Sequence, residues 1–415
     1  MTLIRPFAGL RPAPDRAAEV LAPPYDVLNT QEAREMAAGR PYSFLHISKP
    51  EIDLDPDIDV YDPAVYAKGA ENFKAMLDAG VLQRDDQACY YVYRLTMGDH
   101  RQTGLVAGAS VAAYDRNDVR KHEYTRPKKE DDRVRQVDAL NAQTGPVFLT
   151  YKSTPVIDGI LESTTGVAAE VDVTLDDGIR HELWVIRNAD TIAELTAAFD
   201  GLGVIYVADG HHRSAAASRV AAMRRQQNNN PESNNREAGY EYFLSVIFPD
   251  RQMKILDYNR VVRDLNGLDE EAFLEKLGKA FGCEPSSEPV RPARPGEFGL
   301  YLAGQWYALT INKDLVPDDP VKRLDVSLLA DYLIEPILGI SDPRTDERID
   351  FIGGIRGLEE LERRVDSGEM VVAFSLYATR IEDLMAVADD NQVMPPKSTW
   401  FEPKLADGMV SKSLD

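Results

Sequence analysis

The stretch VIYVADGHHRSAAASRVAAMRR, residues 204–225, limits what this chain can fold into more than any other. An apolar run that reads as a strand stops at Asp209-Gly210, and an alanine-rich helical pattern takes over from Ser214. A strand, a sharp turn and a helix in succession bring the turn to the carboxyl end of a sheet, where N–H groups at the helix start point outward. Two of the chain's six histidines sit at that junction with an aspartate and an arginine. Phosphate is the natural guest of such a turn. Gly210 relieves steric conflict there, Arg213 offers phosphate oxygens a bidentate clamp, and Ser214 is placed to cap the helix. Asp209 at the strand end can take a proton from an attacking hydroxyl or hold Mg²⁺ through water. Of the adjacent His211 and His212, one is expected to reach the ligand while the other braces the loop. Zinc is not expected, because no HxxxH spacing or cysteine partner lies nearby.

With 415 residues the chain is long enough for two or three domains. Lys and Arg total 47 against 69 Asp and Glu, a net charge of -22, so the surface repels phosphate backbones and nucleic acid is not an expected partner. Cys89 and Cys283 are the two cysteines, far apart and outside any CxxC, which reads as two buried reduced thiols. The opening MTLIRPFAGLRPAPDR carries charge and proline where a signal peptide needs an apolar core. No apolar run of about 18 residues could span a bilayer. The expected location is the cytoplasm, with no membrane partner; the oligomeric state is not legible.

Pattern changes divide the chain into an N-terminal mixed α/β region, 1–115, a nucleotide-binding region, 116–265, and a C-terminal α/β region, 266–415. In the first, SFLHISKP reads as a short strand, DPAVYAKGAENFKAMLDAGVL as a helix, and ACYYVYRLTM with QTGLVAGASVAAYD as a hairpin turning at Gly98-Asp99. In the second, VAAEVDVTLDDGIRHELWVIRN is a hairpin, RRQQNNNPESNNREAG an exposed flexible loop, and YEYFLSVIFPDRQMKILDYNRVV a hairpin across Pro249-Asp250. The third alternates helices with the hairpin GEFGLYLAGQWYALTI and the buried strand MVVAFSLY. No repeat of fixed period occurs.

Residues 120–138, RKHEYTRPKKEDDRVRQVD, hold seven Lys or Arg against five Asp or Glu, a surplus of +2 within a chain of -22. A polyphosphate would be tolerated there, although a charge run can equally be a solvated loop. Glu123 is a candidate general base. Lys121 and His122 beside it are candidate substrate contacts, and Lys128, Lys129 and Arg133 candidate phosphate ligands. A third constellation, MPPKSTWFEPK, offers Lys397 with the hydroxyls of Ser398 and Thr399 on a proline-stiffened loop suited to substrate positioning, or else a C-terminal strap. Arg348 in DERIDFIGG reads as a substrate contact or as the partner of Asp350. Tyr25 and Asp26 in PPYDV carry the weakest signal.

PPYDV, KHEYT...KKEDDR, YVADGHHR, FPDRQMKILDYNRVV, RIDFIGG and MPPKSTWFEPK follow the order seen in the bacterial and archaeal family known as domain of unknown function 1015, which the chain resembles over nearly its whole length. Its DGHHR box also resembles the phosphate-binding box of the ParB and sulfiredoxin-like fold, which includes free L-serine kinases. The resemblance implies an α/β fold of mixed sheets, with a ParB/sulfiredoxin-like core and N- and C-terminal elaborations. It further implies a small-molecule kinase that moves a phosphoryl group from ATP or ADP, with Mg²⁺, to a hydroxyl acceptor, free L-serine first among them, giving O-phosphoserine. Asp209, His211, His212 and Arg213 match the box, Glu123 takes the separate acidic role, and Lys397 completes the clamp. The usual box continues with an aromatic residue and an acid, where this chain has the smaller Ser-Ala-Ala-Ala, which leaves the acceptor less defined than the phosphate chemistry. The alternative is a nucleotide- or metabolite-binding regulator without turnover. A ParB-like DNA clamp would need a basic recognition region, and a sulfiredoxin-type reductase a cysteine beside the box; neither is present.

Overall fold

The computed structural model describes residues 2–227 and 238–415, so most of the Asn-rich stretch read as a flexible loop lies outside the described residues. The chain forms two compact units, one of residues 1–253 and 403–415, the other of residues 254–402. The first therefore joins the expected 1–115 region to most of the 116–265 region and takes in the end of the chain.

The first unit is built on a nine-stranded mixed sheet, in agreement with the α/β class. Its order runs from Val119–Arg120 through Ile205–Asp209, Val147–Tyr151, Tyr242–Pro249, His100–Ser110, Tyr90–Met97 and Arg180–Ile186 to Val171–Thr174, with Ile4–Arg5 paired on His100–Ser110. Ile205–Asp209 runs parallel to Val119–Arg120 and antiparallel to Val147–Tyr151, which is itself parallel to Tyr242–Pro249. A strand buried on both faces needs apolar residues throughout. Ile205, Val207, Val147 and Leu149 meet this, and they share a core with Tyr90, Leu105, Phe243 and the helix residues Ala217 and Ala221. Burial of each large side chain contributes about 1.5–3 kcal/mol.

Both hairpins expected around Gly98 and Gly178 form, and each glycine has the positive φ its turn requires. Two other expectations fail. SFLHISKP is the helical turn Leu45–Ser48 followed by a 3-10 turn, Pro50–Asp53; Phe44, Leu45 and Ile47 are buried with Phe73 and Met76. Its apolar run was too short for periodicity to tell a strand from a buried helical turn. The stretch 240–262 is not a hairpin: Tyr242–Pro249 joins the nine-stranded sheet, whereas Tyr258–Val262 is a strand of the second unit. Pro249 begins a connection, because Asp250–Gln252 forms a 3-10 turn instead of reversing the chain.

The charged stretch after Thr125 is a helix, Pro127–Leu140, with proline at its first turn, where the missing N–H costs nothing. Val134 on this helix packs with Ala216 and Val220 of helix His211–Gln227 and with Leu414. Arg219 reaches Glu130 and Asp131, and Arg224 reaches Asp138, so the opposite charges of the run are spent between the two helices. The end of the chain is stitched into this unit: Ala22 and Asp407 exchange backbone hydrogen bonds, and Lys412–Ser413 pairs with Ala142–Gln143.

The second unit holds a six-stranded antiparallel sheet, ordered Phe281–Ser286, Gln305–Ile311, Glu297–Leu302, Val372–Leu376, Tyr258–Val262 and Ile349–Gly353. The expected hairpin of Glu297–Leu302 and Gln305–Ile311 and the buried strand at 372–376 are both there. Cys89 is buried, while Cys283 is only partly so.

Candidate functional site

The junction at 204–225 is a strand, Ile205–Asp209, a single turn residue, and a helix, His211–Gln227. Gly210 stands at φ +89°, a region that residues with a Cβ rarely adopt, so the tight passage depends on glycine. Its N–H donates to Asp209 Oδ1 at 2.7 Å. Lys404 Nζ donates to the other carboxylate oxygen at 2.8 Å. Burial by itself would raise the Asp209 carboxyl, but the Lys404 ammonium, Arg213 and the Gly210 N–H outweigh it and hold the group well below the ordinary carboxylate range. Asp209 is thus a fixed anion at the mouth of a helix.

The helix begins at His211, not at Ser214, which corrects the expected cap. Ser214 lies fully buried in the first turn, its hydroxyl donating to His211 O at 3.0 Å, and is spent within the helix instead of facing a phosphate. The histidines also depart from the expected division of labour, because both grip the segment carrying Glu123. His211 Nε2 accepts the His122 N–H at a long 3.5 Å, and His212 Nε2 accepts the Arg126 N–H at 2.9 Å. An Nε2 that accepts places the ring proton on Nδ1. His211 Nδ1 faces Glu123 Oε2 at 3.7 Å. Burial, with His122 nearby, pushes His211 well below its ordinary value, and burial does the same for His212 with help from Lys129 and Arg126. The ring of His122, 2% exposed, meets that of His211 edge-on at 4.5 Å and is lowered to about 4, chiefly by burial.

Arg213 turns away from the helix mouth. Its Nη1 donates to Pro146 O at 2.9 Å, and its Nη2 reaches both oxygens of Asp26 at 3.3 and 3.4 Å. The ring of Tyr25 lies against two guanidinium groups, its centroid 3.9 Å from that of Arg133 and 5.2 Å from that of Arg213. Together with Asp407, Gln143, Thr144 and Gly145 these residues line a cavity of about 470 Å³ of atom-free space, open solvent at its mouth included.

The remaining expected residues are placed as follows. Lys121 donates to Tyr114 O at 3.2 Å and lies over that residue's ring. The Lys128 ammonium sits over the ring of Tyr61. Lys397, Ser398, Thr399 and Arg348 belong to the second unit. There Lys397 has φ +61°, its ammonium lies over the ring of Tyr258, and its carbonyl accepts from Arg260 at 3.0 Å. Ser398 is buried, with its hydroxyl donating to Pro395 O at 2.6 Å. Arg348 ties a loop together through Asp346, Asp264 and the carbonyls of Leu338 and Gly339, while Asp350 pairs with Arg364. The expected Arg348–Asp350 pair is therefore not formed.

Lys404 and Asp407 were missed. Lys404 closes the very stretch MPPKSTWFEPK from which Lys397 was chosen, and only the return of residues 403–415 to the first unit separates the two lysines. Arg133, expected as a phosphate ligand, instead pairs with Asp132 and lies over the ring of Tyr25, and Tyr25 and Asp26 are the residues whose signal was weakest.

Among solved structures, the chain is similar to a free serine kinase in complex with AMP, at 15% identity over 72% of this chain and 86% of that one, with a TM-score of 0.35. It is similar to a conserved hypothetical protein from Pyrococcus furiosus at 15% identity over 73% and 93%, TM-score 0.34, and to SbnI with C-terminal truncation from Staphylococcus aureus at 9% identity over 73% and 85%, TM-score 0.38. No curated protein matches the chain. The family model described as protein of unknown function DUF1015 matches residues 4–327, which take in the Asp209–Arg213 box, the segment gripped by its histidines and Tyr25, and the chain belongs to that family.

Proposed function

We propose that this protein is a small-molecule kinase built on a ParB/sulfiredoxin-like core, moving a phosphoryl group from ATP or ADP to a hydroxyl acceptor, with free L-serine the first candidate. The observation that carries the reading is the convergence on one helix start of an ionised Asp209 held by Lys404 and a Glu123 carboxylate 3.7 Å from a neutral His211. Phosphoryl transfer asks the protein for positioning and for charge, and this arrangement supplies both.

Glu123 Oε2 is the base that takes the acceptor's hydroxyl proton. His211, protonated at Nδ1, orients that carboxylate without neutralising it. The helix N-terminus and the Lys404 ammonium attract the donor's phosphates. Among the described residues no group of three or more His, Cys, Asp and Glu side chains converges as a cation site. Mg²⁺ commonly takes only one or two carboxylates beside phosphate oxygens and water, a donor set that Asp209 fits. When bound, the ion would neutralise charge on the phosphates.

The test is a transfer screen of the full chain with Mg²⁺, ATP or ADP, and a panel of hydroxyl acceptors, read by mass spectrometry. O-phosphoserine that disappears in Asp209→Ala supports the reading. Nucleotide binding with no product from any acceptor would replace it with the regulator that binds without turnover.

A further inference from the structure

Asp407 lines the cavity beside the box with a need that the protein does not meet. It is 1% exposed, and its Oδ1 has no hydrogen-bond partner among the described residues. Its main chain is fixed by the paired hydrogen bonds with Ala22, which anchor the residue in the cavity wall. A buried carboxylate oxygen asks for a donor, and a cationic one answers best.

The neighbouring cations do not answer it. Arg133 spends its Nε and Nη2 on Asp132 at 2.9 and 2.6 Å. Arg213 faces Asp26 with longer bonds, 3.3 and 3.4 Å, that a better anion could replace. A Cβ on Gly145 would stand 3.3 Å from Arg213 Nε and 3.4 Å from Asp407 Oδ1, so the glycine keeps both groups open to one small space. That space presents an unmet acceptor and an exchangeable guanidinium side by side. A simple anion would be repelled by Asp407, and a simple amine would leave Arg213 unused. A ligand carrying an ammonium and a carboxylate on one carbon meets both.

We propose that this cavity is the head-group subsite for a free α-amino acid, in which Asp407 Oδ1 accepts from the ligand's ammonium, Arg213 donates to its carboxylate, and Tyr25 and Arg133 wall the pocket. The assignment rests on the kinase reading only for what happens to the bound amino acid's side chain. Asp407 is here a specificity residue, selecting amino acids from other hydroxyl compounds.

Calorimetric titration of the full chain, with and without a non-hydrolysable nucleotide, tests it using L-serine, L-alanine, 3-hydroxypropionate, propionate and ethanolamine. The amino acids should bind, and each analogue lacking the ammonium or the carboxylate should bind about a hundredfold more weakly or worse, since a site built for a polar group rejects the ligand that lacks it. Asp407→Asn should cost the amino acids a similar factor while propionate, freed of repulsion from the carboxylate, binds at least as tightly as before. Propionate as tight as L-alanine, an Asp407→Asn protein that keeps its amino-acid affinity, or no amino-acid binding under either condition would overturn the proposal. If Asp407→Asn does not fold, by circular dichroism, Asp407→Glu and the ligand series on the natural protein decide it. Selective amino-acid binding without phosphate transfer would sink the kinase reading and keep the site; transfer to glycerol as readily as to L-serine would do the reverse.

Discussion

Lys404 Nζ lies 2.8 Å from Asp209 Oδ2, which joins the last stretch of the chain to the turn that strand Ile205–Asp209 delivers. This contact decides the charge at the helix mouth. Lys404→Met should leave Asp209 ionised with one counter-charge fewer and weaken the hold on a phosphate group. A loss of about 10²–10³ in kcat/KM for phosphoryl transfer is expected, the scale found when one electrostatic contact to a developing charge is removed. Steady-state kinetics check it, and a change under threefold would remove Lys404 from the machinery.

Glu123→Gln keeps the size of the side chain and its contact with His211 Nδ1, but cannot take a proton. Single-turnover measurements should show the transfer step slowed by about 10²–10⁴, with nucleotide affinity within a factor of about two of the natural protein. Equal losses in binding and in transfer would make Glu123 a structural residue.

Gly210→Ala isolates the backbone of the junction. An added Cβ would meet Val147 Cα at 3.4 Å, an ordinary contact, so space is available and the penalty is conformational. At φ +89° that penalty should be about 1–2 kcal/mol, read by urea unfolding. The mutant's transfer rate should fall further than its stability predicts, because the strain lies between Asp209 and His211.

The junction was legible because three local signals agree there: an apolar strand, a glycine and an alanine-rich helix. Its position was legible but its roles were not: Ser214 lies inside a helix that starts three residues earlier, both histidines hold the Glu123 segment, and Arg213 turns to Pro146 and Asp26. Glu123 could be chosen from its charged surroundings, but nothing local shows that two histidine rings some ninety positions away hold the backbone on either side of it, at His122 and Arg126. Asp407 was invisible, since LADGMV resembles any surface turn until residues 403–415 are seen packed against Ala22 and Arg213. The false hairpin at 240–262 has the same origin: alternation identifies strands, but which sheet each one joins depends on contacts distant in sequence.

His181 offers a pH test away from the box. It is buried, shares a 2.6 Å contact with Tyr93 Oη, and is lowered to about 4 by burial. A histidine whose folded value lies below its unfolded value of about 6.5 binds its proton first in the unfolded chain. Its contribution is complete above about pH 6.5 and is lost as pH falls towards 4. His181→Asn, which keeps an acceptor for Tyr93, should flatten the acid limb of the unfolding free energy by up to one proton, and an unchanged slope would show that the ring is solvated.

Asp407 should act in the opposite sense. Burial raises it to about 7, against the pull of Arg213 and with repulsion from Asp26, while Arg133 and the Tyr25 N–H favour the charged form. A carboxyl raised above its unfolded value of about 4 binds its proton first in the folded protein. Its contribution is full at low pH and is lost as pH rises through about 7. The histidines lose stability over part of the same range in the other direction, so the two effects cancel in the natural protein and only the difference between it and Asp407→Asn resolves them. That difference should shrink as pH rises from about 4 and level off above about 7. An ammonium bound at Oδ1 favours the charged carboxylate, so amino-acid affinity should weaken as pH falls below 7, by up to tenfold per unit. In Asp407→Asn this dependence should vanish. Calorimetry across that range measures both, and an affinity that ignores pH in the natural protein would mean that the ligand's ammonium does not meet Asp407.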